Sequence, residues 1–169
     1  MKLNRIDHVV LTVRDIAATC EFYTRVLGMR AETCGPGRTA LHFGTQKINL
    51  HQAGHEFEPK SAIPTPGSAD ICLVTTGPIE DALAQLAADD VAIEEGPVAR
   101  TGALGPMTSI YFRDPDGNLI EVASYLPPDR PRSPTSSVQR TSLTPSSTPT
   151  SWIASTRCRM TWALSRNAT

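Results

Sequence analysis

One supersecondary unit occurs twice in the first 126 residues, and this repeat limits the possible folds more than any other feature of the chain. The first copy opens with a β-rich segment, Ile6–Val13, and continues into an amphipathic helix with Asp15 at its N-cap and Gly28 as its C-terminal stop. The second copy has a strand at Ala69–Thr75 and a helix at Ile79–Ala88. Two such copies usually pack as a pair, so equivalent positions are expected around a shared site.

Short β-rich segments complete each copy after its helix. The pattern predicts an α+β domain at residues 1–126, in which paired βαβββ modules at about 4–54 and about 66–126 form an open, cup-shaped sheet. The apolar face expected for the first helix consists of Ile16, Cys20, Tyr23 and Leu27. The remaining predicted segments are strands at Arg30–Cys34, Thr39–Phe43, Lys47–His51, Val91–Glu94, Thr108–Arg113 and Asn118–Ser124, and a Gly/Pro-rich loop at Gly96–Pro106.

A change in composition at residue 127 separates this domain from a tail. Residues 1–126 carry 10 basic and 16 acidic side chains, whereas residues 127–169 carry 6 Arg and 1 Asp. The 43 residues of the tail include 17 Ser or Thr and 6 Pro, and they lack a periodic apolar pattern. Because such a segment cannot bury enough apolar surface to offset the entropy lost on folding, 127–169 is predicted to be a disordered basic tail without activity.

Charge and cysteine usage exclude several classes of partner. The net charge of −1 gives no reason to expect nucleic acid or a membrane surface as a partner, and no apolar stretch approaches the roughly 18–20 residues of a membrane span. The N-terminus lacks the charged start and apolar run of a signal peptide, and the four cysteines form no C-x-x-C pair. These features favour a reduced, cytoplasmic protein, with Cys20 and Cys72 in apolar packing.

Four polar residues occupy equivalent positions in the two copies. His8 and Asp70 match in the first strands, and Asn49 and Glu121 match in the last strands. The neighbours of each are apolar, so the four side chains are expected on the sheet surface opposite the helices. An imidazole, an amide and two carboxylates on one surface suit a divalent metal such as Zn, Ni, Mn or Fe(II). His51, two residues after Asn49 on the same strand face, is an equal alternative to it as a ligand.

Other polar residues near this surface have both a functional and a plain interpretation. Lys47 shares the face of Asn49 and is a candidate for binding an anionic substrate, or else a solvated lysine at a strand end. Arg100 is a candidate for binding a carboxylate or phosphate, or else a cap of its loop. His42 and Tyr111 lie on strands whose facing the pattern leaves open. The residues Asp114–Gly117 have the composition of a turn and are interpreted as structural.

Several blocks of the chain resemble the vicinal oxygen chelate superfamily of glyoxalases, bleomycin-resistance proteins and extradiol dioxygenases. The resemblance covers nearly all of residues 4–126. Three further blocks, Lys47–Gln52, Glu56–Lys60 and Glu95–Ala103, are similar to the narrower group of glyoxalase domain-containing protein 5 and its bacterial relatives. The blocks that carry the superfamily resemblance are Ile6–Val13, Phe22–Met29 and Phe112–Val122.

The resemblance implies paired βαβββ modules around a metal, with His8 and Glu121 at the first and last ligand positions of the superfamily. Asn49 stands where metal-binding glyoxalase I has Glu or Gln, and Asp70 stands where glyoxalase I and the extradiol dioxygenases have His. A site with two histidines and one carboxylate therefore requires His51 as a ligand.

These patterns lead to two hypotheses for function. The first is a metal-dependent enzyme acting on a small oxygen-bearing substrate by isomerase, lyase or dioxygenase type chemistry, with Glu121 and Asp70 as catalytic carboxylates and an uncoordinated Asp70 as general base. The second is a non-catalytic protein that binds and sequesters a small ligand, as bleomycin-resistance proteins do. The resemblance also implies a homodimer. If the modules are exchanged between subunits, His8 and Glu121 at one metal belong to different chains.

Overall fold

Two mixed four-stranded sheets and two helices form the described part of the chain. The computed structural model describes residues 1–35 and 37–125, and the predicted tail at 127–169 lies outside them. The elements are β1 His8–Val13, α1 Ile16–Leu27, β2 Arg30–Cys34, β3 Arg38–Phe43, β4 Gln46–Gln52, β5 Asp70–Val74, α2 Ile79–Ala88, β6 Ile93–Gly102, β7 Gly105–Arg113 and β8 Leu119–Ser124.

The strands form two sheets, one from each module. Sheet A has the strand order β1-β4-β3-β2, and sheet B has the order β5-β8-β7-β6. The pairs β1–β4 and β5–β8 are parallel, and the other pairs are antiparallel. The α+β class and the two βαβββ modules are therefore confirmed.

Local signals fix both ends of α1. The Asp15 carboxylate accepts hydrogen bonds from the backbone N–H groups of Ala17 and Ala18, and Gly28 ends the helix in the left-handed conformation at φ 63°. The predicted apolar face is partly wrong. The buried side chains of α1 are Thr19, Phe22, Tyr23 and Val26, while Ile16, Cys20 and Leu27 pack against the core at its margin.

The predicted loop at Gly96–Pro106 is wrong, because most of it belongs to β6. β6 is an edge strand, where the missing N–H of Pro97 costs no ladder bond to a further strand. Its register against β7 shifts twice, between Ile93 and Glu95 and between Glu95 and Val98, and these bulges accommodate the Gly96-Pro97 pair.

Gly96 is required by a close backbone approach, which leads to a prediction for stability. Its φ is +117°, and a Cβ there would lie 2.6 Å from the Ser109 carbonyl oxygen. Gly105 has a similar φ of +124° but has no atom within 4 Å of the same added Cβ. We expect Gly96→Ala to lower the free energy of unfolding by about 2 kcal/mol more than Gly105→Ala does, measured by urea denaturation. Equal losses in the two variants would show that the approach to Ser109 is unimportant.

One hydrophobic core lies on the helix side of both sheets. The Phe22 ring of α1 lies 6.4 Å from the Phe112 ring of β7, and the Tyr23 hydroxyl donates to the Asp114 carboxylate at 2.9 Å. The backbone N–H of Arg14 in turn donates to Asp116. Because the modules share this core, the faces of the two sheets that point away from the helices, here called the helix-distal faces, turn away from it.

Membrane insertion through a helix is not supported by the described residues. Neither α1 nor α2 is long and apolar enough to cross a bilayer.

Candidate functional site

The predicted polar residues lie on the helix-distal faces of the two sheets. In sheet A, His8 pairs with Lys47, and Asn49 and His51 follow at alternate positions of β4. Ile48 and Leu50 between them are buried in the core, which fixes the opposite facing of the polar side chains. Sheet A therefore presents His8, Lys47, Asn49 and His51 on one surface, as the alternation predicts.

His8 is oriented by the residue before it. Its Nδ1 donates to the Asp7 carboxylate at 2.9 Å, and this hydrogen bond is the main reason that the pKa of Asp7 lies below its usual value. Its side chain is 46% exposed. With Nδ1 held in this way, Nε2 points to no hydrogen-bond partner among the described residues. A histidine held by a carboxylate through one ring nitrogen is suited to bind a metal through the other.

Glu121 lies at the centre of a polar row across sheet B. Its register partners are Cys72 on β5 and Tyr111 on β7. Its Oε1 atom is buried and has no hydrogen-bond partner in the described part of the chain. A buried carboxylate oxygen without a donor is costly unless something supplies positive charge or a proton. The Cys72 thiol and the Tyr111 hydroxyl both interact with the Glu121 carboxylate, but Oε1 itself stays without a donor, so this oxygen fits a divalent cation as its partner.

The environment of Cys72 differs from the expected apolar packing. The residue is exposed on the helix-distal face, beside Glu121. Although the residue as a whole is exposed, its sulfur atom is partly buried, and this partial burial, followed by the nearby Glu121 carboxylate, raises the pKa of the thiol to about 12. The earlier interpretation failed because the alternation of β5 places Ile71 and Leu73, and not Cys72, against the core.

Arg100 lies in β6 and not in a loop. Its Nε donates to the Tyr111 hydroxyl at 3.1 Å, and one terminal nitrogen donates to Glu95 Oε1 at 2.7 Å. The pKa of Tyr111 lies above its usual value, because the upward effects of burial and of the Glu121 carboxylate exceed the downward effect of Arg100. The chain of contacts Glu95–Arg100–Tyr111–Glu121 connects the predicted substrate-binding arginine to the predicted catalytic carboxylate.

An aromatic side chain from the segment after β4 covers part of the sheet A surface. The Phe57 ring lies 5.6 Å from the His51 ring in an edge-on arrangement, and the Arg38 guanidinium lies 5.1 Å from the centre of the Phe57 ring. Arg38 and His51 are thus held together on the same surface as Asn49.

The predicted ligands are not all brought together within one chain. In residues 1–35 and 37–125, no three His, Cys, Asp or Glu side chains lie close enough to hold a metal. Asp70 pairs with Leu119 and not with Glu121, so it lies one alternate position away from that carboxylate. A cavity of about 930 Å³ is lined by residues of β1 and β5, among them His8 and Cys72, and by residues of both helices.

Four residues around the site were missed or left undecided by sequence reasoning. The adjacency of Asp7 to His8 was a visible signal. The facing of Tyr111 followed from the alternation with Phe112, but only once β7 and β8 were paired. The alternation that places Asp70 on the helix-distal face also places Cys72 there and was a usable signal, whereas Phe57 carried none that separates it from an ordinary core residue.

Comparison with known proteins identifies the relatives of the chain. A family model for the Glyoxalase/Bleomycin resistance protein/Dioxygenase superfamily matches residues 5–122. The chain is 56% identical over 126 residues to Virulence protein STM3117 of Salmonella typhimurium, covering 75% of this chain and 88% of that protein. The crystal structure of STM3117 superposes with a TM-score of 0.73, covering 75% of this chain and 100% of that one.

Two further relatives have names that mention a domain or a chemistry. Glyoxalase domain-containing protein RDO1 of Mycosarcoma maydis is 54% identical over 125 residues, which cover 74% of this chain and 70% of the relative. Metallothiol transferase FosB of Staphylococcus epidermidis is 30% identical over 117 residues, which cover 69% of this chain and 81% of the relative.

Proposed function

Because the chain belongs to the glyoxalase/bleomycin resistance/dioxygenase superfamily, we propose that it is a metal-dependent enzyme acting on a small oxygen-bearing substrate, with isomerase, lyase or dioxygenase type chemistry. The observation that carries this proposal is the Glu121 Oε1 atom, which is buried on the helix-distal face and has no partner among the described residues. A protein that only sequesters an apolar ligand gains nothing from a buried carboxylate oxygen without a donor.

The ligands proposed for the metal are His8 and Glu121, completed by one or two of Asn49, His51 and Asp70. These side chains offer nitrogen and oxygen donors that suit Zn, Ni, Mn or Fe(II). A bound divalent ion supplies Lewis-acid chemistry, which stabilises negative charge on an oxygen of the substrate. One of the relatives above is named a metallothiol transferase, which supports metal chemistry on this fold.

The other side chains of the site act on the substrate directly. When Asp70 is not a ligand, its exposed carboxylate is the proposed general base and accepts a proton from the substrate. Lys47 on sheet A and Arg100 on sheet B are the proposed contacts to anionic groups. Phe57 excludes water from one side of His51 and keeps its ring in place.

We further propose that two copies of the chain complete each site by facing the sheet A surface of one protomer toward the sheet B surface of the other. Val10 on β1 is 47% exposed and Val74 on β5 is 56% exposed, both on edge strands. Such apolar side chains on open sheet edges are surfaces that a second copy would bury.

The charges of the two helix-distal faces are complementary. Counting histidine as neutral, sheet A has two more cationic than anionic side chains on this face, and sheet B has two more anionic than cationic ones. Attraction between the two faces would favour the exchanged arrangement over pairing of like faces. The side chains in sheet A are Arg30, Glu32, Arg38 and Lys47, and those in sheet B are Asp70, Glu94, Glu95, Arg100, Arg113 and Glu121.

Elemental analysis of the full chain, purified without an affinity-tag metal, tests the proposed function. We expect a divalent metal in a ratio near one per chain, either as purified or after reconstitution. Its identity would direct the substrate search, with iron pointing to oxygenation and zinc or nickel to isomerisation. If the reconstituted chain holds no metal, the enzyme proposal is wrong and a ligand-binding protein of the bleomycin-resistance type takes its place.

Removal of the carboxylate that orients His8 gives a second prediction for the metal. Asp7→Asn keeps the size of the side chain but weakens the hydrogen bond to Nδ1. We expect the metal affinity to fall about 10- to 100-fold, as for other residues that orient a metal-binding histidine. Competition with a chromophoric chelator measures the effect, and Asp15→Ala at the α1 N-cap serves as a control that lowers stability and leaves affinity unchanged. An unchanged affinity in Asp7→Asn would argue against His8 as a ligand.

A further inference from the structure

Arg100 is held in a fixed orientation on the helix-distal face of sheet B. Its guanidinium lies 5.3 Å from the centre of the Tyr111 ring, and its Nε donates to the hydroxyl of the same residue. The side chain is 35% exposed, so one edge of the guanidinium stays accessible. An arginine held by an aromatic ring and a hydroxyl loses little further entropy when it binds a planar anion.

A carboxylate of the chain itself already binds one terminal nitrogen of this guanidinium. Glu95 Oε1 accepts a hydrogen bond from Arg100 at 2.7 Å, which shows that a carboxylate fits there. The Glu95 side chain is 56% exposed, and ion pairs at such exposure contribute little stability. A carboxylate from solution can therefore replace Glu95 at a small cost.

The position of Arg100 relative to Glu121 indicates what an anion bound there would be used for. Tyr111 is the register partner of Glu121, and its hydroxyl accepts from Arg100, so a single phenol separates the guanidinium from the catalytic carboxylate. A ligand bound to Arg100 thus lies beside the site of chemistry.

We propose that Arg100 and Tyr111 form a subsite for the carboxylate group of a small organic acid, which is then the substrate class of the enzyme. The assignment of the acid as substrate rests on the proposed function, although the subsite itself requires no metal. Glu95 occupies the guanidinium in the absence of substrate and is displaced when the acid binds. One terminal nitrogen of Arg100 donates to the Ala99 carbonyl oxygen and the other to Glu95, so the acid takes the place of a carboxylate at the second nitrogen, where a flat carboxylate already fits.

Calorimetric titration of oxalate and of inorganic phosphate into the metal-free full chain tests the subsite. We expect saturable binding of oxalate that is tighter than that of phosphate. Arg100→Met should weaken oxalate binding about tenfold or more, because a charge-assisted hydrogen bond is lost. Glu95→Gln should strengthen it about threefold, because a competing carboxylate is removed.

Arg113 and Glu94 provide a matched control on the same sheet. Arg113 Nε donates to Glu94 at 2.6 Å, so this pair has the same chemistry as Arg100 and Glu95. Within the described residues, however, the hydrogen bonds of Arg113 go to Glu94 and Gly117 and not to Tyr111. Arg113→Met should leave oxalate binding unchanged. No saturable oxalate binding, tighter phosphate binding, or an equal loss in Arg113→Met would each overturn the subsite. A chain that binds no metal but shows oxalate binding dependent on Arg100 would overturn the proposed function alone.

Discussion

Replacing Glu121 by Gln is expected to lower the affinity for divalent metal by at least about 100-fold, since loss of a ligand costs more than loss of a residue that merely orients one. The substitution keeps the shape of the side chain and removes its charge. Because Oε1 is buried without a partner, the metal-free variant should be as stable as the wild type or slightly more so. The same variant should lose the thermal stabilisation that metal gives the wild type. Differential scanning fluorimetry with and without metal, together with elemental analysis, measures both effects.

Two matched variants separate loss of a ligand from loss of charge. Glu94→Gln removes a carboxylate from the same face of sheet B, where it pairs with Arg113, and should leave metal content unchanged. His8→Ala should match Glu121→Gln in its loss of metal, whereas His55→Ala removes an exposed histidine outside the site and should not. Metal retained by Glu121→Gln, or lost equally in Glu94→Gln, would contradict the assigned ligand.

Local signals in the sequence were sufficient to predict the helices. Asp15 and Gly28 bound α1 through hydrogen bonds to their immediate neighbours, and α2 has the predicted limits Ile79–Ala88. β6 was missed because it exists through pairing with β7, with bulges that absorb Gly96 and Pro97. Its local composition favours a loop, and pairing with the next strand, β7, overrides that preference.

The sequence was sufficient to predict on which face of each sheet the site residues lie, but not which of them stand opposite each other on neighbouring strands. Alternation with buried neighbours placed His8, Asn49 and Glu121 on the helix-distal faces, which needs only the period of a strand. The residue opposite Glu121 depends on the register between β5 and β8, which are separated in the chain by α2, β6 and β7. For this reason Asp70 was predicted as a possible ligand beside Glu121, whereas the structure places Cys72 directly opposite Glu121.

Mixing two inactive variants is expected to restore metal binding if each site is built from two chains. In the exchanged dimer, His8 of one protomer and Glu121 of the other hold one metal. A mixed dimer of His8→Ala and Glu121→Gln chains then contains one site with both substitutions and one intact site. After equal mixing and subunit exchange, about half of the dimers are mixed, so about a quarter of the wild-type metal content should return. Sites built within one chain would recover none.

The converse mixture tests the same geometry with the opposite expectation. Wild-type chains mixed equally with the double variant His8→Ala/Glu121→Gln give mixed dimers in which every exchanged site carries one substitution. Only wild-type dimers then bind, so about a quarter of the metal content is expected, whereas sites within one chain would keep about half. Size-exclusion chromatography with light scattering establishes the dimer, and a labelled chain establishes that exchange is complete. Compared with sites built within one chain, exchanged sites raise the metal content of the first mixture and lower that of the second. Incomplete refolding of one variant cannot produce both changes, so it cannot imitate the exchanged arrangement.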